Sequence, residues 1–321
     1  MILVLRALGV GDLATGVPAL RGLRAAFPAD PLALAAPAWL TPLIELIGGV
    51  DRVVPTAGLD HPEWDVPAPG IAVNLHGRGP QSHRLLAAAR PAKLWAFANP
   101  AAGFRDGPEW TEEEHEVHRW CRLLRHYGVP ADESDLALAR PRADVPRGRT
   151  IIHPGAKSPS RRWPADRYAA VARRLTAAGH RVLVTGSAAE KPLADRVAAA
   201  AGLPGTAAPA TTLAELAALI AHARILISGD TGVAHLATGY GTPSVTLFGP
   251  MSPARWGPPS RPYHRPIWHG TRSEPGDRPD PGVHPALLAV TEDEVIEATL
   301  SATADPGNAG GVRTGAVRNR R

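Results

Sequence analysis

The stretch from Ile227 to Pro250 constrains the fold more than any other part of the chain. Arg224 to Ser228 is a short, largely apolar run of the kind that fills a buried parallel strand. Gly229 and Gly232 free the backbone where the chain turns into a helix, and Gly241-Thr242-Pro243 turns it again into a second apolar strand ending at Phe248. Strand, tight turn, helix, turn, strand is the repeating unit of a parallel α/β sheet. The polar residues stand at the joins. Asp230, Thr231 and His235 gather at a helix N-terminus, where unpaired N–H groups and the helix dipole favour an anion such as phosphate. A plainer alternative is that Asp230 only caps the helix.

The same alternation runs through the chain. The first half predicts strands at Ile2 to Arg6, Leu32 to Ala35, Arg52 to Val54, Ile71 to Leu75 and Leu94 to Phe97. Leu13, Val17, Leu20, Leu23 and Phe27 recur at helical spacing with Pro18 in a first turn, and Trp39 to Ile47 reads as a short helix. A polar helix from about Thr111 to Tyr127 is stopped by Gly128, with Pro130 just beyond. Residues 131 to 149, rich in Asp, Arg and Pro, read as a boundary, after which strands at Thr150 to His153 and Arg181 to Thr185 alternate with helices at Pro164 to Ala178, Ala189 to Ala201 and Leu213 to Ala223. From Pro250 to about His284 the chain is rich in Pro, Gly and Arg, which predicts long surface loops. The division expected is a Rossmann-like domain over 1–145, a second over 146–290, a helix over 291–303 and a disordered tail over 304–321.

Composition removes several classes. A chain of 321 residues with 44% apolar and 20% charged residues is a soluble globular protein with room for two domains. The single Cys121 excludes an intrachain disulfide and thiolate metal clusters, which fits a reducing cytoplasm. The formal charge of +5 is concentrated in a tail carrying Arg313, Arg318, Arg320 and Arg321. No basic face with interleaved aromatics marks a nucleic-acid binder, although that tail could touch anionic lipid. No apolar run reaches the roughly 20 residues of a membrane span.

Three segments, in order, resemble glycosyltransferase family 9, the heptosyltransferase-like group. The first, Leu5 to Leu20, is similar to the family's opening strand, Leu-Gly-Asp loop and helix with an early Pro. Here Val10 or Gly11 is an added residue after Leu8-Gly9, unless Gly11-Asp12 is the matching pair. The second, His153 to Pro164, carries Arg161 where the family has Lys two residues before Trp-Pro, with Lys157 and Arg162 nearby. The third is the Asp-Thr-Gly, His, Gly-x-Pro and Phe-Gly-Pro series from Asp230 to Pro250.

The resemblance implies an α/β architecture of two Rossmann-like domains facing a cleft, the GT-B fold, with the C-terminal helix crossing back to the first domain. It implies an inverting enzyme in which Asp12 takes the acceptor proton, as sugar transfer to an alcohol requires of a base. Lys157, Arg161, Asp230, Thr231, Gly232 and His235 then hold a nucleotide-sugar donor, ADP-heptose being the donor implied. Arg in place of Lys keeps the charge and adds a bidentate grip on phosphate. Trp163 reads as a packing residue. His76 and Arg78, after a strand end, are candidates for the acceptor side. The acceptor implied is a hydroxyl of a glycan, a lipid-linked sugar or a small molecule. A non-catalytic nucleotide-sugar-binding protein, or an epimerase or hydrolase of the same fold, remains open as an alternative.

Other patterns carry less. His115, His118, His126 and Cys121 share one predicted helix but lack His-Glu-x-x-His spacing, so a polar helix face is the reading preferred over a zinc site. Gly9-x-Gly11 lacks the third glycine of a dinucleotide fingerprint, and no P-loop occurs. Without Asp-x-Asp, a metal-independent enzyme with no cofactor is expected.

Overall fold

The structure is a computed structural model and describes residues 1–60, 64–204, 211–276 and 282–304. Its first half runs β1 (Ile2–Leu5), α1 (Val10–Thr15), α2 (Val17–Ala26), β2 (Leu32–Ala36), α3 (Thr41–Ile47), β3 (Arg52–Pro55), β4 (Ile71–Asn74), α4 (Gln81–Ala88), β5 (Lys93–Trp95) and α5 (Glu116–His126). The second half runs β6 (Thr150–His153), α6 (Ala165–Ala177), β7 (Val182–Val184), α7 (Lys191–Ala200), α8 (Leu213–Ala221), β8 (Ile225–Gly229) and α9 (Gly232–Tyr240). It closes with β9 (Ser244–Phe248), α10 (Pro253–Trp256), β10 (His264–Trp268), α11 (Pro285–Leu288) and α12 (Glu292–Ala304).

Among the described residues two parallel five-stranded sheets result, ordered β3-β2-β1-β4-β5 and β10-β9-β8-β6-β7. Each reverses its strand order once, between β1 and β4 in the first sheet and between β6 and β8 in the second. Ligands in open α/β sheets bind outside the carboxyl ends of the strands at such reversals, so the topology alone nominates two loops in each sheet.

The halves meet through helices. α1 packs along α9, and α3 along α8. Leu13, Val17 and Leu20 share one apolar core with Val233, Leu236 and Ala237. Fully burying each such leucine contributes about 1.5–3 kcal/mol. The linker joins in, because the Leu138 N–H donates to Gly239 O at 2.8 Å and the Ala139 N–H to Leu46 O at 2.9 Å.

Several expectations need correction. The single helix expected through Leu13 and Phe27 breaks at Gly16, where an added Cβ would stand 3.1 Å from the buried Arg6 side chain. The helix placed at Thr111 to Tyr127 starts only at Glu116, and it is not polar throughout. Val117, Trp120, Cys121 and Leu124 are buried, while Glu116 and Arg119 neutralise each other inside it. The segment after Pro250 is not all loop, since it contains β10. Pro266 lies within that strand, which is tolerated because β10 is at the sheet edge.

Helix α12 does not cross back to the first sheet. Val295, Thr299 and Ala302 form a buried stripe, with the Thr299 hydroxyl donating to Val295 O at 2.7 Å, on a helix packed on α6 and on β8, β9 and β10. Arg174 to Asp293 (2.5 Å) and His269 to Glu294 (2.8 Å) fasten the helix to the second half. The tail beyond 304, with its four arginines, lies outside the described residues. Among the described residues no helix is long and apolar enough to cross a membrane.

Candidate active site

The strand reversals bring four loops to one place. From the first sheet come the turn after β1 that leads into α1 and Asp12, and the loop after β4, holding His76; from the second come the loops after β6 and β8, holding Arg161 and Asp230. The starts of α1 and α9 touch. A Cβ on Gly232 would lie 2.8 Å from Val10 Cβ, and one on Gly11 would lie 2.8 Å from His235 Cδ2. Only glycines allow that approach, which explains why two Gly-rich turns from distant sequence face each other.

Asp12 stands in the first turn of α1, and its Oδ2 accepts the Gly9 N–H at 3.2 Å. Beneath it lies Arg6, fully buried, which sequence reasoning passed over. Arg6 donates to the Asp12 and Leu75 carbonyls and to Thr15 Oγ1 at 2.8 Å, sits 4.7 Å over the Trp120 ring and is 3.7 Å from Glu116. Burial pulls Arg6 below its ordinary value, while Asp12 and Glu116 oppose that. The signal for Arg6 was a charged residue ending an otherwise apolar strand. One buried guanidinium thus ties together α1, the end of β4 and α5.

His76 accepts the Ala7 N–H on Nδ1 at 3.2 Å. Burial, helped by Arg6, lowers it to about 4, so it is neutral near pH 7 and presents a donor on its other nitrogen. Arg78 is not drawn into this group. It is exposed and pairs with Glu112 at 2.8 Å.

In the second half, Arg161 ends a 3₁₀ turn over Pro159–Arg161. Its Nη1 donates to Asp230 O at 3.2 Å and lies 3.8 Å from Asp230 Oδ2. The Asp230 N–H is bonded to Leu247 O at 3.0 Å. Asp230 lies one residue before the N-cap of α9 and is not the helix cap. Thr231 occupies the N-cap of α9 and makes no side-chain capping bond. Arg162 turns inward instead, donating to Ala156 O at 2.7 Å and shaping the loop on which Lys157 stands exposed. Trp163 is buried against Tyr168 and bonds Val290 O at 3.2 Å, a packing role.

His235, one turn into α9, meets Trp256 edge to face at 5.9 Å. Burial lowers it to about 4 despite Asp12, whose charge pulls the other way. Across the cleft, His115 caps α5 and bonds Gly257 O at 3.1 Å, and His118 faces Glu133 at 2.8 Å. His126 bonds Asp106 O at 3.1 Å, so all three imidazoles of the would-be zinc motif have protein partners.

A further carboxylate was missed. Glu190 lies after β7, close against Gly155, with Oε2 accepting the Ser187 N–H at 2.9 Å and lying 3.7 Å from His153. Burial alone would raise Glu190, but His153, Ser187 and Arg162 outweigh it and hold the carboxyl below its usual range. An acidic group beyond the neighbouring strand is where doubly wound folds bind a ribose.

Two Rossmann-like sheets with a polar site where both reverse define the GT-B architecture. The sequence profile of glycosyltransferase family 9 (heptosyltransferase) matches residues 105–273, and the chain belongs to that family of glycosyltransferases. It is 26% identical to the lipopolysaccharide heptosyltransferase 2 of Salmonella typhimurium, over 95% of this chain and 99% of that one. It is also 35% identical to the lipopolysaccharide heptosyltransferase 1 of Pseudomonas aeruginosa, over 44% of this chain and 41% of that one. The fold matches Escherichia coli ADP-heptose LPS heptosyltransferase II with a TM-score of 0.74 at 22% identity, covering 94% of this chain and 98% of that one. An Escherichia coli heptosyltransferase solved with ADP matches with a TM-score of 0.68 at 18% identity, over 92% and 98% of the two chains.

Proposed function

We propose that this glycosyltransferase moves heptose from ADP-heptose, with inversion, onto a hydroxyl of a glycan acceptor, working in the cytoplasm without a metal ion. The observation that carries the proposal is the contact between two unlike helix starts, one bearing the Asp12 carboxylate and the other lacking a side-chain cap. In this reading residues 1–145 receive the acceptor and 146–290 hold the donor. The acceptor oxygen attacks the anomeric carbon and gives its proton to Asp12. The bond from that carbon to the diphosphate breaks as the new one forms, and ADP leaves.

The departing diphosphate gains charge, which Arg161, Lys157 and the N–H groups at Thr231, Gly232 and the first turn of α9 stabilise. These cations supply what a divalent metal would otherwise provide. Asp230 positions Arg161, Glu190 accepts from the donor ribose, and His235 stands beside the transferred sugar as a neutral imidazole. His76 offers its free N–H to the acceptor, with Arg78 further out on the same side. Heptose and a lipopolysaccharide-type acceptor are supported by the names of the relatives matched along the full chain. The arginine-rich tail is assigned to contact with anionic lipid at the membrane surface.

The experiment is product mass. Purified protein with ADP-heptose and a panel of lipid-linked, oligosaccharide and small-molecule acceptors is expected to release ADP and add one heptose to an acceptor. Addition of a different sugar from a different nucleotide donor, with none from ADP-heptose, would overturn the donor assignment.

A further inference from the structure

Trp39 is 57% exposed, and no other Trp, Tyr or Phe among the described residues is exposed. Leaving an indole in water forgoes the burial of about 150–250 Å2. Nor is the side chain on a loose loop. It rides on a 3₁₀ turn over Ala38–Leu40, closed by Leu40 N–H to Pro37 O at 2.9 Å and by Thr41 Oγ1 to Ala38 O at 2.7 Å, with Leu40 fully buried as its anchor.

The topology fixes what this turn faces. It follows the carboxyl end of β2, and α3 runs from it back to the amino end of β3. In the second half α8 likewise ends at the amino end of β8, so its start at Thr212 lies toward the carboxyl ends of the second sheet. α3 and α8 pack together, and consecutive linker residues hold their carboxyl ends, Ala139 N–H donating to Leu46 O at 2.9 Å and Arg140 to the Ala221 carbonyl; at about 1.5 Å per residue the two helices span similar lengths, so their starts stand side by side at the cleft rim. Ala217 and Ile220 of α8 share an apolar core with Ile151 of β6 and Leu183 of β7, so that rim is on the β6–β7 side of the cleft, the side of Gly155 and Glu190.

We infer that Trp39 of the first half is the platform on which the nucleobase of the donor stacks, so that donor recognition is shared between the two halves. The inference rests on the nucleotide-sugar reading above. A base lying outward from a ribose at Glu190, over the start of α8, meets the indole face. An aromatic face accepts any base, so Trp39 contributes affinity, while selection among bases falls to polar groups elsewhere.

The test is calorimetric titration of the full chain with ADP and, separately, with pyrophosphate. Trp39→Ala is expected to weaken ADP about tenfold or more, the loss of one base–aromatic stack, whereas Trp39→Phe stays within about threefold of wild type. Pyrophosphate, which lacks the base, is expected to bind all three proteins alike. Unchanged ADP affinity in Trp39→Ala overturns the stacking assignment alone, as does an equal weakening of ADP and pyrophosphate. A wild-type chain that binds none of ADP, GDP or UDP overturns the nucleotide-sugar reading together with it.

Discussion

The starts of α1 and α9 invite comparison because they are built alike and finished differently. Each follows a buried parallel strand, each has glycines at the turn, and the two touch across the cleft. At α1 the chain supplies its own anion, as Asp12 accepts the Gly9 N–H. At α9 no side chain caps the first turn, and the aspartate that precedes it is tied to Arg161 instead. A helix start that carries a carboxylate repels a second anion and offers a proton acceptor. One that is left uncapped, beside a guanidinium, attracts an anion. Similar local structure thus yields opposite chemistry on the two walls.

The largest test breaks the closed start. Asp12→Asn keeps an oxygen for the Gly9 N–H, and Asn caps as well as Asp, so stability and ADP affinity are expected to stay near wild type. Transfer is expected to fall by about 10²–10⁴, the worth of a general base. Undiminished transfer would remove Asp12 from the chemistry. Next comes the open start. Arg161→Ala is expected to cost about 10² in kcat and to weaken pyrophosphate binding, with Arg161→Lys recovering part of both. If pyrophosphate binds Arg161→Ala as it binds wild type, the anion site lies elsewhere.

The smallest effect is on stability against pH. His76 and His235 flank Asp12 and are lowered by burial from 6.5 to about 4. The unfolded chain takes up these protons below about pH 6.5 and the folded chain only near pH 4, so their contribution is full above pH 6.5 and is lost as pH falls toward 4. Melting temperature measured across that window is expected to fall more steeply for wild type than for His235→Asn. Parallel curves would show that His235 is not held neutral by its surroundings.

Much of the fold was legible because burial in a parallel sheet leaves short apolar runs, and helix ends leave Gly and Pro. β1, β2, β6 and α6 fall within a residue or so of where those signals put them. β10 did not show, since Pro266 argues against a strand until one knows that the strand is at an edge. α12 did not show its partner either. Its stripe of Val295, Thr299 and Ala302 says that one face is covered, but not which sheet covers it. Within the site, Asp12, Arg161 and the Asp230 turn carry motifs, whereas Arg6, Glu190 and Trp39 do not. Their meaning lies in what stands next to them.

The sequence by itself determined the alternation of strands and helices, the glycines at both turns and the family, because each depends on residues close together in the chain. Tertiary structure decided that two turns more than 200 residues apart meet, and that Arg161 holds Asp230 so that Thr231 heads an uncapped helix. It also decided that α12 stays on the second sheet. Those outcomes depend on strand order and on which apolar faces find each other, and pairing between distant faces leaves no local signature in a chain.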